Sequence, residues 1–369
     1  MFSKRHHLLV KIVIVVSLLT TVSCAVKVKE DPLLNQLVAQ KLMVDFRYFC
    51  DDSKIDQPCR KPLNKLTPSL IKMITDTGIG GVILFAENLE NTEQILKLNY
   101  SLQQAARSAG HPPLFIAIDQ EGGRVVRLPQ GLGSPFSGSM AIGATYEKHG
   151  DKFARLSGEI MAKELLSLGF NVNFAPTVDV NVNPLNPVIN VRSFGENADV
   201  VAQLGTAQLA AMQEQGLIST LKHFPGHGDT SVDSHTGLPK VEHDIQQIEN
   251  VDLKPFKYAI DHEIPGMIMT AHIQYPHLDN TEFIAKDGKS VIFPATMSRR
   301  ILTDLLRKKM GFKGLIVTDA LNMAGIAHYY NQTEAVIQTF SAGTDIALMP
   351  IKIRRPTDIA RLRTLISDV

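Results

Sequence analysis

The chain contains no tryptophan among its 369 residues, an absence that argues against a lectin-like module. It has no surplus of charge of either sign: 38 lysines and arginines face 37 aspartates and glutamates, for a formal net charge of +1. So even a balance lacks the electrostatic footprint of a nucleic-acid binder, and no low-complexity stretch interrupts the chain. No His-Glu-x-x-His or Cys-x-x-Cys pattern offers a metal site. No glycine fingerprint for a dinucleotide follows an early strand. Cysteine is scarce, confined to Cys24, Cys50 and Cys59. What remains is the composition of an ordinary globular enzyme.

Met1–Ser23 reads as a targeting segment. Lys4, Arg5, His6 and His7 make a basic start, and Leu8–Thr20 is an apolar run broken by Lys11. The run is too short and too poorly flanked for a membrane span, so secretion is expected. Thr21-Val22-Ser23-Cys24 resembles a bacterial lipobox, whose cysteine becomes the lipidated first residue of the mature protein, although Thr21 stands where leucine is usual. The alternative is an ordinary cleaved signal with an incidental cysteine. The expected organisation is a signal at 1–23, a linker at 24–34 and one barrel domain at 35–369. The expected product is an exported monomer, periplasmic or on the cell surface, touching a membrane only through lipid on Cys24. In such a compartment Cys50 and Cys59 could close a small disulfide loop; otherwise they are two buried thiols.

The densest chemistry lies between Lys222 and His235. A short apolar strand, Ile218–Leu221, runs into Lys222 and His223, and Pro225, Gly226 and Gly228 then forbid its continuation. Asp233 and His235 follow, two apart, a spacing that in an extended loop puts both side chains on one side. There a carboxylate can orient and charge-stabilise an imidazole. Three histidines and two aspartates in fourteen residues are of no use to a core. Two plainer readings compete: a solvated polar loop, and a metal site made of His223, His227, His235 and a carboxylate.

From residue 40 onward, short apolar runs alternate with amphipathic helical patterns. The runs predict strands at Leu42–Phe46, Gly81–Phe85, Leu114–Asp119, Val172–Val180, Ile218–His223, Met267–His272, Leu315–Asp319 and Asp345–Met349. Thr67-Pro68 has the form of a helix N-cap with proline at the first position, and Gly78 stops that helix. Asn91 with Gln94 resembles a capping box. Ile301, Leu302, Leu305, Leu306 and Met310 make one apolar face closed by Gly311, and Thr357–Ile366 reads as the last helix. Eight strands with helices between them predict an α/β fold, a (β/α)8 TIM-type barrel; an open doubly wound sheet is the alternative. In a barrel, catalytic groups stand where strands end. Here the ends are Asp119, Asp179, Lys222-His223, His272 and Asp319, all expected at one rim.

Asp119-Gln120-Glu121-Gly122-Gly123-Arg124 brings two glycines that let backbone pass close to a ligand, and Arg124 and Arg127 add rigid forks of donors. Carboxylate acceptors and arginine donors facing one pocket suit a ligand rich in hydroxyls and amides, such as a sugar. Together with Lys222–Thr230, Asp233-Ser234-His235 and Thr318-Asp319-Ala320-Leu321-Asn322-Met323, this motif resembles the bacterial β-N-acetylhexosaminidases of glycoside hydrolase family 3, from about residue 35 to about residue 350. The resemblance implies a retaining exo-glycosidase that removes terminal β-linked N-acetylglucosamine from cell-wall fragments or chitooligosaccharides, without metal or organic cofactor. Carried over by motif, Asp319 is the nucleophile, His235 the general acid/base and Asp233 its partner. Asp119, Arg127, Arg192, Lys222 and His223 are expected to bind the sugar.

Retention needs a nucleophile and a separate proton donor, usually two carboxyl groups. A histidine with an unperturbed pKa of about 6.5 can serve as acid and then as base near neutrality. Its neutral form does not repel an anion, so phosphorolysis is a possible variant, as is a β-glucosidase on the same barrel. A lipid-anchored sugar-binding protein without catalysis is the reading from another class, and a metal-dependent amidohydrolase is a third. The expectation is a barrel without the second domain that many exported relatives carry after it.

Overall fold

The computed structural model describes residues 32–51, 58–234 and 237–369. The apolar runs form β1 (Leu42–Asp45), β2 (Gly81–Ile83), β3 (Phe115–Ile118), β4 (Val172–Asn173), β5 (Ile218–Phe224), β6 (Met267–Thr270), β9 (Leu315–Thr318) and β10 (Ala347–Leu348). These eight lie in the order β10-β1-β2-β3-β4-β5-β6-β9, and every neighbouring pair is parallel. A parallel bridge between Val317 and Ile346 returns β9 to β10, with Thr318 N donating to Ile346 O at 3.0 Å. The sheet therefore closes on itself as a barrel.

Helices connect the strands: Pro68–Thr77, Thr92–Ser108, Lys152–Ser167, Ala198–Glu214, Lys254–His262, Arg300–Lys309 and Gln332–Ala342, with Pro356–Asp368 after the last. Strands covered on both faces read as continuous apolar runs, because neither side meets water. One face fills the barrel. Met43, Ile83, Ala117, Val172, Met267, Met269, Val317 and Leu348 form a single buried cluster drawn from seven of the eight strands, and Ile218 of β5 packs against it. The other face packs on the helices, as with Val44, Val82 and Ile116 on one side and Leu221, Ile268 and Ile316 on the other.

Local signals explain the helix ends. Thr67 caps Pro68–Thr77 by accepting from Leu70 N, and Gly78 ends it at φ 65°. Asn91 accepts from Gln94 N at 3.0 Å, but the Gln94 side chain reaches back to Glu90 N instead, so only half of the expected capping box forms. The apolar face at 301–310 lies on a wide helix in which Met310 N bonds to Leu305 O, five residues back.

Two expected strands need correction, and one hairpin is new. β4 ends at Asn173 rather than Val180, since Pro176 has no N–H for a ladder; beyond it a lone bridge joins Thr177 to Lys222. The last strand is only Ala347–Leu348. A hairpin of β7 (Glu282–Ile284) and β8 (Ser290–Ile292) was not foreseen, because its strands are short and half-exposed and carry no apolar run. Cys50 and Cys59 form a disulfide, which settles the choice left open by the sequence. No helix among the described residues is long and apolar enough to cross a membrane. The signal at 1–23 and Cys24 lie outside the described residues, as does most of the linker at 24–34.

Candidate active site

Strand periodicity decides which side chains reach the barrel mouth. Alternate residues share a face, and Phe115 and Ala117 of β3, Ile218 of β5, and Leu315 and Val317 of β9 all belong to or pack on the interior cluster. Continuing that parity past the ends of β3 and β9 and along β5 leads to Asp119, Asp319 and Lys222. All three line a cavity of about 530 Å³ at the C-terminal ends of the strands. His272 has the opposite parity on β6. It is fully buried, with Nδ1 2.9 Å from Thr296 Oγ1 and Nε2 3.1 Å from Ala320 O; neither it nor Asp179, equally buried, lines the cavity, against the expectation that both stand at the rim.

Charges at the mouth are tightly paired. Lys222 Nζ donates to Asp119 Oδ1 at 2.9 Å and to Glu121 Oε1 at 2.6 Å. Arg192 Nε and Nη2 donate to the two oxygens of Glu121 at 2.9 and 2.8 Å, the bidentate geometry that a guanidinium suits. Arg127 Nη2 lies 4.0 Å from Asp119 Oδ2. Burial alone would favour a neutral Glu121, but Lys222 and Arg192 outweigh it and hold the carboxyl below the ordinary carboxylate range. Burial likewise opposes the charges of Lys222 and Arg192, and the carboxylates raise both pKa values despite it. The result is a wall of fixed, mostly buried charges. Gln120 supports it from behind: its side chain accepts from Arg127 N and Leu128 N at 2.8 and 3.2 Å. Gly122 and Gly123, at φ 86° and 58°, make the turn between Glu121 and Arg127 that other residues resist.

A histidine shelf adjoins this wall. The Lys222–His223 peptide is cis, and both side chains line the cavity. Asp179 is wholly buried. Its Oδ1 accepts from His223 N and His227 N at 3.1 and 2.7 Å, and its Oδ2 lies 2.8 Å from His223 Nδ1. Burial opposes the charge on Asp179, yet His223 lowers its pKa overall. Burial, helped by His223, pushes His227 down to about 4, so this ring is neutral near pH 7. His227 Nδ1 is 2.6 Å from Thr230 Oγ1 and Nε2 is 3.4 Å from Ser234 Oγ.

Asp319 follows β9 directly. Ala320 N donates to its Oδ1 at 2.7 Å, and its own N donates to Thr270 O at 3.1 Å. Asp233 is half-buried on a loop that docks beside the Asp319 segment, where Gly325 N donates to Ser234 O at 3.1 Å. His235 and Thr236 lie outside the described residues. Among the described residues, no three His, Cys, Asp or Glu side chains are grouped to hold a metal ion.

Of the expected sugar-binding residues, Asp119, Arg127, Arg192, Lys222 and His223 all line the cavity, whereas Arg124 is exposed and lines none of it. The sequence reading gave no role to Glu121, although it quoted the motif that contains it. It also missed Arg47, Asn322, Lys352 and Arg354 on the same cavity. Arg47 and Arg354 come from the loops after β1 and β10, the first and last strands. Nothing local in the sequence joins those loops.

The family model described as "Glycosyl hydrolase family 3 N terminal domain" matches residues 33–368. "Beta-hexosaminidase A" of Pseudoalteromonas piscicida is 56% identical over 337 residues, covering 91% of this chain and 56% of that protein. Among solved structures, a glycoside hydrolase family 3 beta-N-acetylglucosaminidase from Paenibacillus sp. is 36% identical at a TM-score of 0.78, covering 90% of this chain and 57% of that one. NagZ from Neisseria gonorrhoeae, in complex with N-trifluoroacetyl-D-glucosamine, is 31% identical at a TM-score of 0.71, covering 88% and 84%. The chain thus spans little more than half the length of the first two and most of the third.

Proposed function

The chain belongs to glycosyl hydrolase family 3, and from that premise we propose that it is a retaining β-N-acetylhexosaminidase. It releases terminal β-linked N-acetylglucosamine from cell-wall fragments or chitooligosaccharides. The observation that carries this reading is Asp319, placed by the inward parity of β9 in a polar cavity walled by Asp119, Lys222, Glu121 and Arg192. The names of the relatives support the sugar.

Asp319 attacks the anomeric carbon and forms an ester as the glycosidic bond breaks. His235, held by Asp233, gives its proton to the departing oxygen. The neutral imidazole then takes a proton from water, whose oxygen attacks the same carbon and displaces Asp319, restoring the β configuration. Asp119, Arg127, Lys222, His223 and Arg192 hold hydroxyl and amide groups of the sugar. Asn322 Nδ2 and Arg127 Nε, buried without hydrogen-bond partners, are further donors that a sugar satisfies. No step calls on a metal or an organic cofactor.

Asp319→Asn tests the reading. The variant is expected to fold and to lose turnover of an aryl N-acetyl-β-glucosaminide by several orders of magnitude, because an amide cannot form the ester. Near-normal turnover would place the nucleophile elsewhere.

A further inference from the structure

His243 lies outside the cavity, yet it joins both ends of the loop that carries Asp233. Its Nδ1 is 2.8 Å from Asp252 Oδ2 and its Nε2 is 3.3 Å from Asp229 Oδ2. The first contact is a hydrogen bond and the second an ion pair; a neutral imidazole serves only the first, whereas an imidazolium also holds Asp229 through its charge. Asp252 is almost wholly buried, Asp229 about one-third exposed and His243 about one-eighth, so these contacts are poorly screened.

The three residues belong to different parts of the loop. Asp229 stands on its outgoing limb, next to Thr230, whose hydroxyl meets His227, which in turn reaches Ser234 on the cavity wall. His243 stands on the returning limb. That limb is pinned where Val241 N donates to Gln274 O at 3.0 Å and His277 Nδ1 approaches His243 O at 2.8 Å. Asp252 belongs to the helix that follows, and Tyr275 OH donates to Gly226 O beside it at 2.8 Å. Thus Asp229 is joined to a fixed platform through His243.

We propose that His243 is a positioning residue which, as an imidazolium clamped between Asp252 and Asp229, holds the outgoing limb of the catalytic loop in place. This rests on the glycosidase reading only in naming the loop catalytic. The charges that act most on His243 are acidic, and the His277 ring contacts its backbone oxygen. The Asp252 hydrogen bond comes first and raises its pKa; burial opposes, and the charges of Asp252, Asp229 and Asp244 raise it further. Burial raises Asp252 as well, with Asp179 beyond it adding to the effect, and the nearby Tyr275 hydroxyl is pushed far up and stays neutral. Because the folded pKa is raised above 6.5, the clamp is complete below that pH and is lost as pH rises through the folded value. The longer Asp229 contact goes first.

The decisive variants are His243→Gln and Asp229→Asn. A glutamine amide can serve one carboxylate but not both. An asparagine at 229 can donate its N–H to the lone pair of a neutral His243 whose other nitrogen still donates to Asp252, so the link no longer needs a proton. The readout is kcat/KM against pH for an aryl N-acetylglucosaminide whose leaving group needs no protonation, which silences the general acid's own titration. Wild type should lose activity on an alkaline limb. His243→Gln should fall about tenfold at neutral pH, through loss of the ion pair to Asp229, and lack that limb. Asp229→Asn should keep near-normal activity at neutral pH and also lack the limb. Nitrogen-15 spectra of the imidazoles should show His243 protonated at both nitrogens at neutral pH in wild type and singly protonated in Asp229→Asn. An alkaline limb unchanged in Asp229→Asn, or a singly protonated His243 at neutral pH in wild type, overturns the proposal. If the chain hydrolyses no glycoside, the glycosidase reading fails while the spectra still decide the state of His243.

Discussion

Glu121 and Arg192 are 71 residues apart in sequence and share two hydrogen bonds. Removing one partner of a buried pair leaves the other charges uncompensated, at a cost of about 3–5 kcal/mol. Glu121→Gln is therefore expected to lower the urea midpoint clearly at pH 7. Because the folded pKa of Glu121 is depressed, its contribution is present above the unfolded value and disappears as pH falls through the folded one. The gap between variant and wild type should therefore narrow in strong acid, and a gap independent of pH would mean that packing, not charge, is what Glu121 supplies. His235 poses a different question at the same scale. His235→Ala should be severe for substrates with poor leaving groups and mild for an activated aryl glycoside, on which the glycosyl-enzyme should accumulate. Equal losses on both kinds of substrate would make His235 a sugar-binding group.

Among elements, the loop after β5 follows a tightly constrained path. A Cβ at Gly228 would lie 1.7 Å from Val180 O, a backbone atom that cannot swing aside. Gly228→Ala must push this loop from the segment after β4, at a cost of about 1–3 kcal/mol. It should lower both the melting temperature and kcat, since His227 and Ser234 move with the loop; calorimetry and kinetics on one preparation check this, and an unchanged kcat would show that the loop tolerates the shift. The elements also show where local reading stops. β3, β5 and β9 were legible because apolar runs with period-2 parity carry Asp119, Lys222 and Asp319 inward. β4 was overextended because its apolar residues continue past Pro176, where regular pairing gives way to the lone Thr177–Lys222 bridge. β7 and β8 escaped notice because a short exposed hairpin has neither run nor periodicity.

For the molecule as a whole, we propose export with lipid attachment at Cys24. The small-residue run before Cys24 motivates it, and the Cys50–Cys59 disulfide fits an oxidising compartment. The native protein should fractionate with membranes and Cys24→Ser should release it; a wild-type protein found wholly soluble after export would make Cys24 a bystander. The disulfide also braces the mouth, since Cys50 N donates to Arg354 O at 2.9 Å and Arg354 lines the cavity.

The sequence by itself determined the eight barrel strands and their alternation with helices, because burial on both faces and the two-residue period are written in local order. Its motifs single out Asp119, Arg127, Arg192, Lys222, His223 and Asp319. Only the tertiary structure decided that Arg47 and Arg354 share one cavity, since closure of β10 on β1 joins the two ends of the chain. It likewise decided that Glu121 bridges Lys222 and Arg192, that Asp179 underpins two histidines, and that His272 is buried against Thr296 and Ala320 instead of lining the cavity. Each of these depends on distance through space between residues far apart in the chain, and hydrophobic periodicity carries no record of that distance.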